Sequence, residues 1–509
     1  MDNFYEILNK RECSDIIMPS VYSYQGFRNE NELFSAFDNI IKNNKRVLIH
    51  GDSDADGLMS LFIVREMFDR VGFSNYEVFN YVFKTHNIPD EAVSKAIQEH
   101  FDYIVILDSS TNDFSNINKL LLFGVKPIIL DHHIPTLDYE NYPNDCVIIN
   151  SVLENRHRGV DFYQVSAGAL CFSLCSRFLE LRGLKWMDLS LYALVSLYSD
   201  SIDMSSNFNR GIYYLATSLS HAEIPRCISG FMRSYDVICR RFIEYTFAPK
   251  INAMFRAERF DLLNKYMNTR LAFPGSDRLV EDIESLHEFS RTLVARVSDS
   301  IDVENLQNIV IGSITPDLLP INTNKLYNYT GLVANSLSKE YGKPAVVLCD
   351  TGRGVKGSFR DLLSRNYLSK FKQFCDANGH GAAFGINIKY VELSDFLWYL
   401  HEKIDKRFFI LGVDDVIEIE YNESLPDLKL LNDIALYNEF SGVVNPIVLL
   451  NKRNNLKSQY AYKRGSYNYK WGDLKVESSY VVPPGDLLQI KPIVTKRLKL
   501  VTYSRNIMI

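Results

Sequence analysis

Three aspartates at alternate positions are the first residues of this chain that could do chemistry. They lie in GDSDADG at 51–57, and this spacing is how a calcium-binding EF-hand loop begins. An EF-hand also needs a glutamate at its twelfth position, where this chain has Ile63. An apolar run typical of a buried strand precedes the aspartates, and apolar residues at helical spacing follow them. The pattern therefore predicts a strand-to-helix turn that binds a ligand, with a merely solvated acidic turn as the alternative. The three residues are Asp52, Asp54 and Asp56.

Similar turns recur further along the chain. An aspartate follows the apolar run YIVIL, the triplet DHH follows PIIL, and another aspartate ends the helical run ALVSLYSD. One such aspartate alone is more often a cap or turn residue than a ligand. As a set they provide carboxylates and imidazoles without thiolates, which favours manganese or magnesium over structural zinc. A bridging carboxylate would hold two ions about 3.5 to 4 Å apart. The candidate ligands are His50, Asp54, Asp56, Asp108, His132, His133 and Asp200.

Alternating strand and helix patterns must position these residues. Apolar strands at 46–50, 103–107, 127–130 and 146–149, with helices between them, predict a mostly parallel sheet. Residues 163–270 have a helical pattern, and 277–297 form a charged amphipathic helix typical of a connector. A second α/β unit follows, and the last hundred residues are β-rich. For the second unit we predict strands at 308–313, 344–349 and 355–359, helices at 331–341 and 366–377, and a glycine-rich turn at 378–385.

The charge of the chain is unevenly distributed. The net charge is −6, yet residues 451–509 carry twelve Lys or Arg against three Asp or Glu, a net charge of +9. Within this tail, YAYKRGSYNYKW at 460–471 alternates aromatic and basic residues, as in surfaces that stack bases and neutralise phosphates. A β-strand with one exposed face is the alternative. The candidate nucleic-acid contacts are Lys463, Arg464, Tyr467 and Trp471.

Composition excludes several classes of protein. No apolar run approaches the roughly 18 residues that span a bilayer, and the first residues lack a signal-peptide core. The eight cysteines are scattered and form no CxxC pair, which argues against a disulfide scaffold and a zinc site. We expect a cytoplasmic protein with reduced thiols and no membrane contact.

The four turns together resemble a known family. HGDSDADG, VILDSS, ILDHHIP and LYSDSID, in this order, resemble the four motifs of the DHH phosphoesterases. The resemblance implies two manganese ions, with magnesium as the alternative. It implies that His50, Asp54 and Asp108 hold one ion, with Asp52 as a further candidate. It also implies that Asp131 orients a neighbouring histidine and that His133 faces the scissile phosphate. The second ion would be held by Asp56, Asp108, His132 and Asp200.

Two later segments resemble the DHH-associated domain. NGHGAAFG at 378–385 is similar to its GGHxxAAG signature, and KGSFRD at 356–361 is similar to a nearby basic strand. Asn378 and Phe384 depart from the signature, so the packing around the substrate is expected to differ. A turn-capping role for His380 is the alternative. The implied substrate contacts are Ser358, Arg360, Gly379 and His380.

Further segments resemble the RecJ single-strand exonucleases. These are the Gly-x-x-Asn-Pro element within 434–450, Asn209-Arg210, and Ser-Ala-Gly at 166–168. The two residues Asn209 and Arg210 become further candidate substrate contacts. The resemblance implies an α/β fold in four parts: a DHH catalytic domain at 1–270, a connector helix at 271–302, a DHH-associated domain at 303–405 and an OB-like nucleic-acid-binding region at 406–509.

The implied function is 5′-to-3′ hydrolysis of single-stranded DNA to nucleotides, in recombination or repair. One alternative is a phosphodiesterase of the same family acting on oligoribonucleotides, cyclic dinucleotides or nucleoside bisphosphates, with short RNA or dinucleotides as its partners. Another is a non-catalytic DNA-binding replication factor, which the retained metal ligands disfavour. The sequence identifies no protein partner.

Overall fold

The structure is a computed structural model, and it describes most of the chain. Outside the described residues are 1–13, 82–86, 159–164, 234–235, 269–275, 316–325, 362–366, 381, 406–416, 422–427, 441–446, 452–456, 462–466, 472–473, 479–487, 494–498 and 503–509. The side chains beyond residue 440 and those of a few earlier residues, His380 among them, are not described either.

Eighteen strands are described. They are β1 Val47–Gly51, β2 Tyr76–Val78, β3 Tyr103–Leu107, β4 Lys126–Asp131, β5 Val147–Asn150, β6 Asp302–Asn305, β7 Val310–Ile314, β8 Ala345–Asp350, β9 Val355–Arg360, β10 Asp376–His380, β11 Ala383–Ile388, β12 Ile417–Tyr421, β13 Ile447–Asn451, β14 Lys457–Ala461, β15 Tyr467–Trp471, β16 Leu474–Ser478, β17 Leu488–Ile493 and β18 Lys499–Thr502.

The described α-helices number seventeen. They are α1 Glu30–Lys42, α2 Ala55–Arg70, α3 Asp90–Gln98, α4 Phe114–Leu122, α5 Ser151–Arg158, α6 Ala167–Glu180, α7 Ser190–Ser199, α8 Asn207–Thr217, α9 Arg226–Ser229, α10 Arg240–Phe242, α11 Ala248–Arg256, α12 Phe260–Asn268, α13 Ser276–Ser300, α14 Thr330–Tyr341, α15 Leu368–Phe371, α16 Tyr390–Tyr399 and α17 Leu428–Phe440. Among the described residues, no helix has the length and apolar character needed to cross a bilayer.

The first sheet has the order β2-β1-β3-β4-β5, and its strands are all parallel. Successive side chains of a strand face opposite sides of the sheet. Accordingly, Ile104 and Ile106 pack with α3 and α4, whereas Val105 and Leu107 pack with α1, α2, α6 and α7. Burial on both sides explains why these strands are unbroken apolar runs. The four predicted strands are found, while the three-residue β2 is too short to show a pattern.

The second sheet is mixed and has the order β10-β11-β9-β8-β7-β6. Only β7 and β8 pair in parallel. Two expectations here are wrong. The helix predicted at 366–377 is described only over Leu368–Phe371, because the chain is already a strand from Asp376. The predicted glycine-rich turn at 378–385 instead forms most of the β10–β11 hairpin, in which alternate β11 residues are buried.

Helix α13 connects the two sheets and contains the predicted connector at 277–297. Ile283, in its first half, is buried in the core beside the first sheet. Leu293 and Val297, in its second half, are buried with α14 in a core beside the second sheet. The helix therefore contributes to both units instead of only joining them.

A third, mixed sheet has the order β12-β13-β17-β18-β16-β15-β14, in agreement with the β-rich C-terminal region expected. Tyr467 and Trp471 are the end residues of β15, and their side chains are not described. Lys463 and Arg464 lie outside the described residues. The proposed contact of this tail with nucleic acid stays a prediction.

Helix α17 packs on the first unit although it lies far along the chain. Leu431, Ile434 and Phe440 are fully buried in the core that covers one face of the first sheet. Buried Glu439 accepts hydrogen bonds from the Tyr198 hydroxyl at 3.1 Å and from the backbone N–H of Arg240 at 2.6 Å. The segment 434–450 thus begins as a helix within the first core, a feature that the sequence did not indicate.

Candidate metal centre

The turn from β1 into α2 holds the three alternating aspartates. Asp54 is the N-cap of α2, and its Oδ1 accepts a hydrogen bond from the Gly57 backbone N–H at 3.1 Å. A Cβ atom at Gly57 would lie 2.4 Å from the backbone N of Asp52, so only glycine lets the turn close this tightly. The tight turn that Gly57 permits between β1 and α2 therefore brings the three aspartates together.

Asp56 is held by two other helices. Its carboxylate accepts hydrogen bonds from the backbone N–H groups of Ala167 and Gly168, at 3.1 and 2.9 Å, where α6 begins. The hydroxyl of Ser196, on α7, also donates to it. A Cβ atom at Gly168 would lie 2.5 Å from Ser196 Oγ, which explains the glycine. In the sequence, residues 166–168 stood out only through their resemblance to a known motif. Their hydrogen bonds to Asp56 were not predicted.

Without a metal ion, the carboxylates of this cluster repel one another. Burial, followed by the charges of Asp200 and Asp54, raises the pKa of Asp56 to about 8. Burial and the neighbouring carboxylates, Asp56 first among them, also raise the pKa of Asp108 well above its usual value. Like charges this close disfavour ionisation unless a cation neutralises them. The donors present thus favour a bound cation.

The backbone at Asp108 is in the left-handed region, with φ of 63°, and Ser110 has φ of 72°. Such a conformation costs of order 1 to 3 kcal/mol for a residue with a side chain, and it concentrates at functional sites. Aspartate is among the residues that tolerate it best. The strained turn directs Asp108 toward the aspartates that follow β1.

The four motifs meet at His132. Its Nε2 lies 3.2 Å from Asp108 Oδ1, 3.6 Å from Asp200 Oδ2 and 3.7 Å from Asp56 Oδ2. In each of three groups of residues, the potential ligand atoms lie within 4.8 Å of one another. These groups are Asp56, His132 and Asp200; Asp52, Asp54 and Asp108; and Asp108, His132 and His133. Asp108 and His132 each belong to two of these groups, and Asp52 lies in the same group as Asp54 and Asp108. The bridging role of Asp108 stays a prediction.

His50 is the second-last residue of β1 and belongs to none of the three groups. Its side chain is buried, and a backbone hydrogen bond with Asn87 favours its protonated form. Burial lowers the pKa of His50 to about 4 against the opposing charge of Asp52. The imidazole is therefore neutral at physiological pH, which is the form that binds a metal ion. A buried, neutral imidazole of this kind fits the predicted ligand role.

Asp131 positions His133. Its Oδ1 lies 2.8 Å from His133 Nδ1, and its Oδ2 accepts the Thr111 backbone N–H at 3.1 Å. Burial alone would raise the pKa of Asp131, but the charge and hydrogen bond of His133 lower it. Burial would likewise lower the pKa of His133, but Asp131 raises it to about 10. His133 is thus a cation whose side chain is 40% exposed at the cluster.

A second, basic cluster lies at the start of α14. A Cβ atom at Gly331, in the first turn of α14, would lie 2.6 Å from Arg360 Nη2. Ser358 Oγ is 2.9 Å from the hydroxyl of Thr330, the first residue of that helix. A guanidinium and a hydroxyl beside a helix N-terminus form a favourable setting for an anion. The predicted contacts Ser358 and Arg360 therefore lie side by side.

Arg256, which the sequence analysis missed, links the two clusters. Burial, then the charge of Arg256, lowers the pKa of Arg360 to about 10. Burial also lowers the pKa of Arg256, against the opposing effects of Tyr329 and Asp54. Arg256 thus lies within electrostatic reach of both Arg360 and the acidic turn. As the last residue of an ordinary amphipathic helix, it carries no local signal of this role.

The β10–β11 hairpin explains the signature glycine. Gly379 has φ of 140°, and a Cβ atom there would lie 2.8 Å from both the Ala383 carbonyl oxygen and Phe384 Cα. Phe384, which departs from the signature, is buried and stacks on Phe359 with ring centroids 4.8 Å apart. The core therefore accommodates Phe384 in place of the alanine of the signature. His380 pairs through Ala383 with Arg360 across three strands, and its side chain lies outside the described part.

Two candidate substrate contacts are buried. Asn209 and Arg210 are 0% and 1% exposed. The Asn209 amide donates to the Asp203 carbonyl at 2.7 Å, and the Arg210 guanidinium donates to the Ser205 carbonyl and the Asn207 side chain. These bonds hold the segment that leads from Asp200 into α8. Asn209 and Arg210 thus support this segment, and their assignment as substrate contacts stays a prediction.

Part of this chain matches a known family. Residues 46–194 match the family model described as the DHH family, N-terminal domain. The single-stranded-DNA-specific exonuclease RecJ of Bacillus subtilis (strain 168) is 21% identical over 430 residues, which cover 78% of this chain and 51% of that protein. RecJ of Dickeya dadantii (strain 3937) is 24% identical over 431 residues, covering 77% and 72%. The match thus spans about half the length of the Bacillus relative.

Solved structures show the same fold. RecJ in complex with Mn²⁺ from Thermus thermophilus superposes with a TM-score of 0.73 at 18% identity, covering 99% of this chain and 75% of that one. An exonuclease RecJ bound to manganese gives a TM-score of 0.57 at 18% identity, covering 76% and 97%. At this level of identity the likeness concerns the fold alone.

Proposed function

This chain carries a DHH-family domain and is RecJ-like, and from that premise we propose that it is a two-metal phosphodiesterase that removes nucleotides from the 5′ end of single-stranded DNA. We further propose that it acts in the cytoplasm, in recombination or repair. The observation that carries the proposal is that carboxylates from three of the motifs lie around His132, which belongs to the remaining motif, ILDHHIP.

The proposed ligand sets extend two of the three groups, Asp52 with Asp54 and Asp108, and Asp56 with His132 and Asp200, by neighbouring residues. His50, Asp54 and Asp108, with Asp52 in reach, would hold one ion, and Asp108 would be shared with the second site. When bound, two manganese or magnesium ions would lower the pKa of a water molecule and neutralise charge on the reacting phosphate. The second site would be formed by Asp56, Asp108, His132 and Asp200.

Three cations of the chain would bind the phosphates. His133, protonated because Asp131 accepts its Nδ1 proton, can donate from Nε2 to a phosphate oxygen. Arg360 and Arg256 provide guanidinium groups suited to paired hydrogen bonds with phosphate. Charge on the transition state would thus be shared by these three groups. The side chain of His380 is proposed to join them.

Two features favour single-stranded DNA over a small nucleotide. The relatives include proteins named single-stranded-DNA-specific exonucleases. In addition, residues 451–509 carry a net charge of +9 and form much of a third sheet, which a dinucleotide would not need. Hydrolysis confined to oligoribonucleotides, cyclic dinucleotides or nucleoside bisphosphates would instead support the small-nucleotide alternative.

The test is an end-label assay of the full chain with Mn²⁺. A single strand labelled at its 5′ end should release labelled mononucleotide at once, whereas the same strand labelled at its 3′ end should shorten progressively. A blunt duplex should resist, and a chelator should stop the reaction. A matched control is Asp145→Asn, which alters an exposed carboxylate paired with Lys126. Absence of hydrolysis of single strands in Mn²⁺ would overturn the proposal.

A further inference from the structure

The loop that follows His133 is held by its backbone. Three consecutive carbonyl groups each accept a hydrogen bond from the side chain of a different element, at 2.9, 3.0 and 3.0 Å. A backbone fixed at three successive residues has little freedom, so the directions of its side chains are set by the fold. The pairs are His133 with Asn150, Ile134 with Asn112, and Pro135 with Arg156.

Asn112 makes the most of these contacts. Besides donating to the Ile134 carbonyl, its Oδ1 accepts from the Thr136 backbone N–H at 2.7 Å and from the Thr136 hydroxyl at 2.9 Å. Asn112 follows the strained turn at Asp108, so this one amide joins the loop after β3 to the loop after β4. Neither loop can move without the other.

The side chain of Ile134 is left in solvent by this arrangement. It is 64% exposed, whereas the next residue, Pro135, is buried. Single exposed apolar side chains are common, so exposure alone carries no argument. What distinguishes Ile134 is its place, because its Cα atom is about 3.8 Å from that of His133, the cation at the metal cluster. A nucleotide whose phosphate binds His133 would therefore lie close to Ile134.

We propose that Ile134 packs against the base of a nucleotide flanking the scissile phosphate and that Asn112 is its positioning residue. This inference rests on the proposed function and deepens it. An aliphatic side chain offers no hydrogen bond, so it would contact the face of any base without choosing among them. The site would thus recognise the presence of a base while ignoring its identity.

The experiment compares short 5′-phosphorylated strands that carry a base at both nucleotides flanking the first scissile phosphate with strands abasic at one or the other. Ile134→Ala should raise KM for the complete strand about threefold to tenfold, the effect of losing one apolar contact, with kcat within about twofold. With a strand abasic at the contacted nucleotide, the variant and the unsubstituted protein should have equal KM. Asn112→Ala should behave in the same way, because it releases the loop.

A matched control exists on α4. Leu122 is 81% exposed and ends that helix, near the edge of the sheet opposite the carboxyl ends of the strands. Leu122→Ala should leave KM unchanged for every strand. An equal KM rise for complete and abasic strands, or no rise at all, would overturn the base contact while hydrolysis by the unsubstituted protein upholds the proposed function. Failure of the unsubstituted protein to cleave any of these strands would overturn both.

Discussion

The cluster around His132 and the cluster around Arg360 are opposites in charge and in construction. The first consists of buried carboxylates at the ends of parallel strands and helices, and it needs a cation. The second consists of arginine and hydroxyl groups at a helix N-terminus, and it suits an anion. Arg256 lies within electrostatic reach of both. A metal ion and a phosphate carry the complementary charges, so each region is suited to the ligand that the other would repel.

The largest expected effect comes from the shared carboxylate. Asp108→Ala should lower turnover to the level of the chelated enzyme, because it disturbs both proposed ion positions. Asp108→Asn should do the same while keeping a residue that tolerates the left-handed backbone, which separates loss of the ligand from loss of the turn. Bound Mn²⁺, measured by elemental analysis, should fall in both. Full turnover by Asp108→Asn in Mn²⁺ would remove the two-metal assignment.

The arginine cluster should respond differently. Arg256→Ala or Arg360→Ala should weaken substrate binding about tenfold to hundredfold, as expected for loss of a hydrogen bond to a charged group worth roughly 1.5 to 3 kcal/mol. Bound Mn²⁺ should not change, because neither residue is a ligand. Arg353→Ala, at an exposed turn at the other end of β9, is the control and should bind normally. Loss of Mn²⁺ from the Arg256 or Arg360 variants would show that the two regions are not separate in function.

Stability of the chelated protein should depend on pH through Asp56. Its pKa is about 8 in the fold against 3.8 for the free side chain, so between these values the folded protein keeps a proton that the unfolded chain has lost. The contribution of Asp56 to the free energy of unfolding should therefore fall as pH rises from about 4 to about 8. His50, with its pKa lowered from 6.5 to about 4, contributes the opposite slope below about pH 6.5, so the fall should be clearest between about pH 6.5 and 8. Thermal melting should show this slope, Asp56→Asn should reduce it, and Mn²⁺ should abolish it. A rise in melting temperature over that range would contradict the carboxylate repulsion.

The smallest effect concerns the tail. If residues 451–509 follow a single strand, affinity should fall with salt at a slope of about −0.7 per phosphate contact. Replacing Lys463, Arg464, Tyr467 and Trp471 should weaken binding of long strands and flatten that slope. Hydrolysis of a dinucleotide, too short to reach the tail, serves as the internal control and should not change. Unchanged affinity and slope would make the tail structural.

The sequence indicated which residues of the first cluster would lie close together, because each of them carries a local signal. Each aspartate or histidine directly follows an apolar strand or a helical run, and the carboxyl ends of parallel strands meet at one edge of the sheet. The helix α13 was also predictable, because its apolar residues recur at helical spacing. These features depend on residues adjacent in the chain, so the sequence alone carries the information that they require.

What the sequence missed depends on residues far apart. Arg256 acquires its role from Asp54 and Arg360, about 200 and 100 residues away, and Gly168 matters only because Ser196 packs against it. The β10–β11 hairpin was predicted as the end of a helix and a turn. Its many glycines and small residues hide the alternation of apolar and polar residues that marks a strand. Burial of Asn209 and Arg210 likewise follows from tertiary packing, on which a dipeptide gives no information.

The docking of α17 has a consequence for biosynthesis. Tyr198, two residues before Asp200, receives its partner Glu439 from a point 241 residues later in the chain. At about 5 to 20 residues per second, that interval adds roughly ten to fifty seconds of translation before the first core can close. The core beside the first sheet is thus completed only after α17 has been synthesised, and until then the apolar surface that will receive this helix remains open to chaperones.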